Sequence, residues 1–464
     1  MKRRIVLLSL LLLFISSIGQ AQQDFSPANR FGIVEGFWFP DVTCDLGVGW
    51  ERIIFDWAQH QPTGPEDWHT LNVDDRWLKA ASACNREVVA LLKTTPAWAT
   101  DGTPGPGVPR GLYLPYDDPG NTWGQFVSKT AAYYASRGVS RFIIWNEPDI
   151  DPETYGFEYE GDLEDYFRMV KVAYLAARSA NPAARIHLAG TTYWHDVNEG
   201  RTPYIERLLD RIMQDPDAAA NNYYFDVVSL HVYFRSETVY DLVQRVQRSL
   251  DEHGLQNKAI WINETNAAPT DDPNWPVDRP VYDLDLSHQA SYLVQAVALA
   301  LAADAERIAV YKLYDQDLPP NAESFGILSP ANAQSRPAYE TYHMLVGQFA
   351  DVTNATMAQT ETLTGVLLQH ENGRQTLVAW ARTEAHATVN IQLDDDKAYR
   401  TTLQGEFLIV PTQDGVYSVP LDAAHCTDVD GCFIGGEPLI LTAYGPIMIT
   451  EQTPDGVTPL EFAD

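Results

Sequence analysis

The sequence predicts an α/β protein: a (β/α)8 TIM barrel followed by a small C-terminal antiparallel β-sandwich domain. Three observations predict it. Within residues 30–348, eight short apolar runs alternate with amphipathic stretches, the pattern of buried parallel strands each followed by a helix. No Gly-rich phosphate turn follows the first run, which disfavours the open doubly wound sheet, the main alternative. Within residues 349–464, helical periodicity gives way to strand-like runs separated by turn residues, the texture of a sandwich.

The eight runs are Gly32–Phe37, Arg52–Phe55, Glu87–Leu92, Arg141–Trp145, Arg185–Ala189, Phe225–Leu230, Ala259–Ile262 and Arg307–Leu313. They are short and rich in Val, Ile and Phe, as strands covered on both faces are. Helical spacing falls between them over Trp123–Arg137, Leu163–Ala180, Tyr204–Gln214, Val239–Glu252, Ser287–Ala303 and Pro337–Gln348, with Asn121-Thr122 and Gly161-Asp162 as starts for the first two. The sandwich strands are expected at Thr364–Gln369, Gln375–Ala381, Ala387–Gln392, Glu406–Val410, Gly415–Val419 and Pro438–Ile449, with "HENGR", "LDDDK", "TQDG" and "IGGE" as turns.

The N-terminus reads as an export signal over residues 1–21. Lys2, Arg3 and Arg4 precede the apolar run Ile5–Ile18, and Gly19-Gln20-Ala21 supplies small residues for cleavage near Ala21. That run falls short of the roughly 20 apolar residues that span a bilayer. A secreted or periplasmic protein is therefore expected, with no integral membrane span. The four cysteines fit an oxidising compartment. Cys426 and Cys432 close the loop "CTDVDGC" and make the better disulfide; Cys44 with Cys84 needs the fold to bring them together. The loop's Asp and Gly content faintly resembles a calcium loop without the rest of that motif. A net charge of −31 argues against a nucleic-acid partner, and against a polyanionic polysaccharide unless the site is locally basic. The sequence says nothing of oligomeric state.

In a barrel, residues at the C-terminal ends of the strands gather around one mouth. Reading those ends gives Arg52 on the second run, Asn146 and Glu147 after the fourth, His231 and Tyr233 after the sixth, and Glu264 after the seventh. Either glutamate alone could serve a helix start. Together they make two carboxylates from different strands of one ring, which is what glycosidic bond cleavage needs: one protonated to assist the leaving oxygen, the other ionised to attack the anomeric carbon. Arg52 and Tyr233 can hold the second ionised, and Asn146 can bind a neighbouring sugar hydroxyl. His231 and Tyr233 could equally be structural, and Arg52 could belong to an internal ion pair. Trp38, Trp98, Trp145, Trp194, Tyr155, Phe157 and Tyr159 are candidates for stacking on sugar faces, although most barrel aromatics are core. A metal-dependent hydrolase would need clustered His and Asp ligands at the strand ends, and only His231 is there. A carbohydrate-binding or envelope-associated barrel with little turnover is the rival from another class.

The motifs "WNEPD" and "INET" resemble the acid/base and nucleophile motifs of clan A glycoside hydrolases, retaining enzymes built on this barrel. The surrounding "GVGWERIIFDWAQHQP", "TTPAWA", "SLHVYF" and "FGILSPANAQSRPAYETYHML" most resemble glycoside hydrolase family 39, which includes β-xylosidases and α-L-iduronidases. The resemblance implies a retaining O-glycoside hydrolase that acts on a carbohydrate without a cofactor. It implies Glu147 as acid/base, Glu264 as nucleophile and Asn146 as the binder of the 2-hydroxyl. It also implies Tyr233 as hydrogen-bond partner of the nucleophile and Arg52 as the arginine beneath it. Strand eight departs from the pattern: many clan members place a Trp there as a floor for the sugar, whereas this chain reads "YKLYDQD", leaving Tyr311 or Tyr314 as substitutes.

Overall fold

All eight apolar runs become parallel strands of one closed barrel. They are β1 (Phe31–Val34), β2 (Trp50–Asp56), β3 (Glu87–Lys93), β4 (Arg141–Ile144), β5 (Arg185–Leu188), β6 (Val227–Tyr233), β7 (Ala259–Asn266) and β8 (Arg307–Val310), paired in sequence order with β8 closing on β1. The computed structural model describes residues 27–154, 156–393, 397–411, 415–427, 431–453 and 456–462. The expected signal segment, Tyr155 and most of the calcium-like loop lie outside them.

The barrel interior is filled rather than open. Trp50, Val89, Leu91, Ile143, Val227, Trp261 and Ala309 form a separate buried cluster inside the ring, as layered side chains do in this fold. The Trp50 indole explains Gly32 on the neighbouring strand: a Cβ there would lie 2.2 Å from Trp50 Cε2. Two strands run three and four residues further at their C-terminal ends than the sequence suggests. β6 and β7 extend to Tyr233 and Asn266, and their pairing shifts register between Leu230 and His231. His231, Tyr233 and Glu264 thus sit on the last residues of strands instead of beyond them. The bulge re-aims side chains at the mouth, where such irregularities concentrate.

Among the described residues, eight helices of seven residues or more surround the barrel: α1 (Pro40–Leu46), α2 (Asp75–Ala83), α3 (Thr122–Ala135), α4 (Leu163–Ala180), α5 (Tyr204–Met213), α6 (Thr238–Glu252), α7 (Leu286–Ala302) and α8 (Pro337–Phe349). The first two were not expected from periodicity. α1 has only seven residues, starting on Pro40 and ended by Gly47 in the left-handed region at φ 78°. α2 is set by a cap: the Asp74 carboxylate accepts from Arg76 N. A Cys44–Cys84 disulfide joins the two helices at their C-terminal ends, with Cα atoms 5.7 Å apart.

Beyond α8 the chain forms β9 (Val352–Gln359), β10 (Leu363–His370), β11 (Arg374–Ala381), β12 (Ala387–Leu393), β13 (Lys397–Thr401), β14 (Phe407–Pro411), β15 (Val416–Leu421), β16 (His425–Thr427), β17 (Gly431–Ile434), β18 (Leu439–Tyr444), β19 (Ile447–Thr453) and β20 (Gly456–Pro459). A six-stranded sheet, β9-β10-β11-β18-β13-β14, and a four-stranded sheet, β15-β12-β19-β20, make the sandwich. The single strand expected over Pro438–Ile449 is two strands in different sheets. Gly445, at φ 101°, turns the chain between them. The central strands β10, β11 and β18 of the six-stranded sheet are apolar on both faces because both are covered. Val366, Leu368, Val378, Trp380 and Ile440 continue the barrel's core. Their alternates Leu363, Leu367, Leu377, Ala379 and Leu441 pack with Val389 and Ile391 inside the sandwich. The hairpin β16–β17 carries the Cys426–Cys432 disulfide. It lies against the barrel, where the Gln295 amide of α7 bonds Gly435 and Gly436 at 3.0 Å. Among the described residues, no helix is long and apolar enough to cross a membrane.

Candidate active site

The C-terminal ends of β4, β6 and β7 bring three ionisable groups together. One oxygen of Glu147, one of Glu264 and a ring nitrogen of His231 all lie within 4.8 Å of one another. Glu147 follows Trp145 and Asn146 at the end of β4. Its backbone is in the left-handed region at φ 42°, and its N–H donates to Gly190 O at 3.1 Å. Gly190 also makes room for the imidazole: a Cβ there would fall 2.2 Å from His231 Nε2. His231 Nδ1 then lies 2.6 Å from Glu147 Oε1, and Nε2 lies 3.5 Å from Glu264 Oε1.

The two carboxylates have unlike surroundings. Glu264 is 5% exposed. The Arg52 guanidinium touches one of its oxygens, and the Tyr233 hydroxyl donates to the other. Burial alone would raise the Glu264 pKa, but Arg52, His231 and the Tyr233 hydroxyl outweigh it and hold it below the ordinary carboxylate range. Tyr233 is shifted well up, by burial first and by the Glu264 charge second, so it stays a neutral donor. Burial would lower the His231 pKa; the charges of Glu264 and Glu147 reverse this, and the net shift is upward. Glu147 makes no such contact with Arg52 and faces the open side, with a side chain 19% exposed.

An open cavity of about 230 Å³ lies over these groups. Glu35, Arg52, Lys93, Asn146, Glu147, Glu158, Tyr233, Glu264 and Tyr311 line it. Of the residues singled out from sequence, the structure brings Arg52, Asn146, Glu147, His231, Tyr233, Glu264 and Tyr311 to this one place. Tyr311, at the end of β8, packs edge-on to Tyr233 with centroids 6.0 Å apart. Tyr314 packs instead against Phe39. Trp98 does not line the cavity. Its indole N–H donates to Gln61 O at 2.6 Å and its ring meets Trp57 edge-on. Trp145 and Tyr159 are buried in the core, and Phe157 is half-buried, while Trp38 and Trp194 remain 39% and 37% exposed.

Sequence reading missed four charged residues. Glu35 pairs with Lys312 across the ends of β1 and the segment after β8, and Lys93 at the end of β3 pairs with Glu158. A signal existed, since Glu35 and Lys312 interrupt expected apolar runs and Lys93 directly follows one. It carried no weight singly because their pairing is set by the ring. Asp149 was also overlooked. It accepts from Thr192 N and Oγ1 at 2.8 and 2.7 Å. Burial, with help from the Glu147 charge, raises its pKa to about 6 against those donors.

Glu147, His231 and Glu264 have the donor types of a metal site. Their surroundings suit protons better. Arg52 and Tyr233 already occupy the Glu264 oxygens, and the upward shift of His231 favours imidazolium, which is not a ligand. Two carboxylates this close, one held ionised and one beside an open cavity, can carry out nucleophilic attack and proton transfer on the same bond.

Neither a protein-family model nor a curated protein matches the chain. Solved structures do. A family 39 glycoside hydrolase from Bacteroides cellulosilyticus WH2 is similar over 90% of this chain and 81% of its own, at 14% identity and a TM-score of 0.68. A family 39 β-xylosidase from Caulobacter crescentus is similar over 91% of this chain and 97% of its own, at 14% identity and a TM-score of 0.59. A family 30 endoxylanase from Clostridium papyrosolvens C71 is similar over 90% and 97%, at 12% identity and a TM-score of 0.56. The architecture of a closed parallel barrel with C-terminal antiparallel sheets is therefore shared with glycoside hydrolases.

Proposed function

We propose that the protein is an exported, retaining glycoside hydrolase that cleaves a β-linked neutral sugar from an oligosaccharide or polysaccharide. The observation that carries the reading is the carboxylate pair from β4 and β7, with oxygens no more than 4.8 Å apart. Retaining enzymes hold their carboxyl groups about 5–5.5 Å apart, whereas inverting enzymes leave about 6.5–9.5 Å for a water. Glu264, held ionised by Arg52, attacks the anomeric carbon and forms a glycosyl ester as the C–O bond to the leaving group breaks. Glu147 gives its proton to the departing oxygen, then takes one from the water that hydrolyses the ester. His231 bridges the two, Tyr233 orients Glu264, Asn146 is placed for the 2-hydroxyl, and Tyr311 forms the floor.

The cavity wall supports a neutral sugar. Its two lining cations are each matched by a glutamate, Lys93 by Glu158 and Arg52 by Glu264, and the lining Glu35 is matched by Lys312, so among the described lining residues no cation is left over for a substrate carboxylate. Such pairs suit neighbouring hydroxyls, each of which both donates and accepts. The similar β-xylosidase and endoxylanase make β-xylosides the first substrates to try. Export is supported by the signal-like N-terminus and the two disulfides.

Azide rescue separates the roles. Glu264→Ala should lose turnover on every substrate by about 10⁴-fold or more, for want of a covalent intermediate. Glu147→Ala should form the intermediate normally from an activated aryl glycoside and stall at hydrolysis. Azide, which needs no base, should restore turnover and give the β-glycosyl azide. Rescue of Glu147→Ala to the inverted α-azide would show the roles to be reversed.

A further inference from the structure

The barrel mouth carries a second cavity, also of about 230 Å³, between the loops after β5 and β6 and the disulfide hairpin of the sandwich. Trp194 forms one wall with its ring 37% exposed, and Phe433 of the hairpin backs the other. Asp241, which is exposed, and the ion pair of Arg382 with Glu237, at 2.6 and 2.7 Å, supply a polar rim.

The order of strands decides what this cavity can meet. β4 and β7 carry the carboxylates and divide the ring in two. Over one part, Tyr311, Glu35, Arg52 and Lys93 from β8 to β3 line the first cavity, with Tyr233 of β6 reaching in from the other. Only β5 and β6 lie on the other side, and the second cavity opens from their loops. Contacts tie the two regions together on the Glu147 side. Glu147 N–H reaches Gly190 O, Asp149 holds Thr192, and Asp151 N–H donates to His195 Nε2 at 3.2 Å, one residue from Trp194. An acid that protonates a leaving oxygen faces the leaving part of the substrate, so that part must extend toward β5 and β6.

We propose, resting on the glycosidase reading above, that this interdomain cavity is a sugar subsite on the leaving-group side. One unit of a neutral saccharide chain stacks its C–H face on Trp194 while its hydroxyls bond to Asp241 and the Arg382–Glu237 pair. The face of an aromatic ring is electronegative and attracts the weakly positive C–H groups of a sugar, and a few convergent polar groups then fix its orientation. The sandwich domain thereby takes part in choosing the substrate, and longer chains are the better ones.

The test compares wild type, Trp194→Ala and Trp194→Phe on p-nitrophenyl β-xyloside, on xylobiose through xylohexaose, and on the corresponding β-glucoside and cello-oligosaccharides. In the wild type, kcat/KM should rise with chain length on the series whose aryl glycoside is cleaved. Trp194→Ala should remove about tenfold of that rise, mainly through KM, with Tm unchanged; Trp194→Phe should restore most of it. A wild type indifferent to length, or a length dependence that survives in folded Trp194→Ala, overturns the subsite and leaves the glycosidase reading standing. Failure to cleave any of the aryl glycosides or oligosaccharides removes that reading and the subsite with it.

Discussion

At the scale of single residues, the site is a problem in holding charge. Glu264 is ionised in a buried place because Arg52, itself 3% exposed, lies against it. Removing one partner of such a pair leaves an uncompensated buried charge and costs about 3–5 kcal/mol. Arg52→Gln should therefore lower stability by that order in urea unfolding. It should also move the acid limb of kcat/KM to higher pH, because the Glu264 pKa rises without the guanidinium. The sign for stability follows the same logic. A carboxylate whose folded pKa is depressed contributes stability above its ordinary range and loses it as pH falls through the lowered value. An acid limb that stayed put in Arg52→Gln would mean that Arg52 does not set the charge of Glu264. The residues of this pair were legible in sequence from the runs beside them: Arg52 opens the second run and Glu264 stands two residues past the seventh. Glu35, Lys93, Glu158 and Lys312 were not, because the pairing that gives them meaning is set by the ring and not by local sequence. Trp98 illustrates the opposite case: a tryptophan at a strand end can serve to tie its loop to the neighbouring one.

At the scale of elements, the loops after β4 and β5 work as one support. Gly190 is its centre, with its carbonyl on Glu147 N–H and its missing side chain occupied by the His231 ring. Gly190→Ala should push the imidazole away from Glu147 and cut kcat/KM by about 100-fold, as misplacements near 1 Å do. Activity kept within a factor of about three, in a protein of unchanged Tm, would show that His231 needs no such seat. Strands were readable because a buried parallel strand is a short apolar run whatever surrounds it. Their ends were less readable. The bulge at Leu230/His231 and the extension of β7 to Asn266 depend on pairing partners, and α1 and α2 are too short for the stripe that Leu46, Leu78 and Ala81 bury to stand out.

At the scale of the whole molecule, the sandwich and barrel share one core through Val366, Leu368, Val378 and Trp380. A chain ending at Phe349 would bare the apolar faces that these residues cover, and should appear in the insoluble fraction; a soluble, fully active barrel would show the shared core to be dispensable. The domain order was evident from the change of periodicity after α8, whereas the docking was hidden: a sheet apolar on both faces reads the same whatever covers each face. The cavity over the carboxylate pair is lined by barrel residues, and the account stands on that pair. Its most direct measurement is covalent trapping. The protein is incubated with the 2-deoxy-2-fluoro-β-glycosyl fluoride of a sugar whose aryl glycoside it cleaves, and peptides of the inactivated protein are mapped by mass spectrometry. The account predicts one sugar per chain, attached to Glu264 in the peptide that contains "INETNAAP". A label on Glu147, or sustained turnover with no labelled peptide, would contradict it.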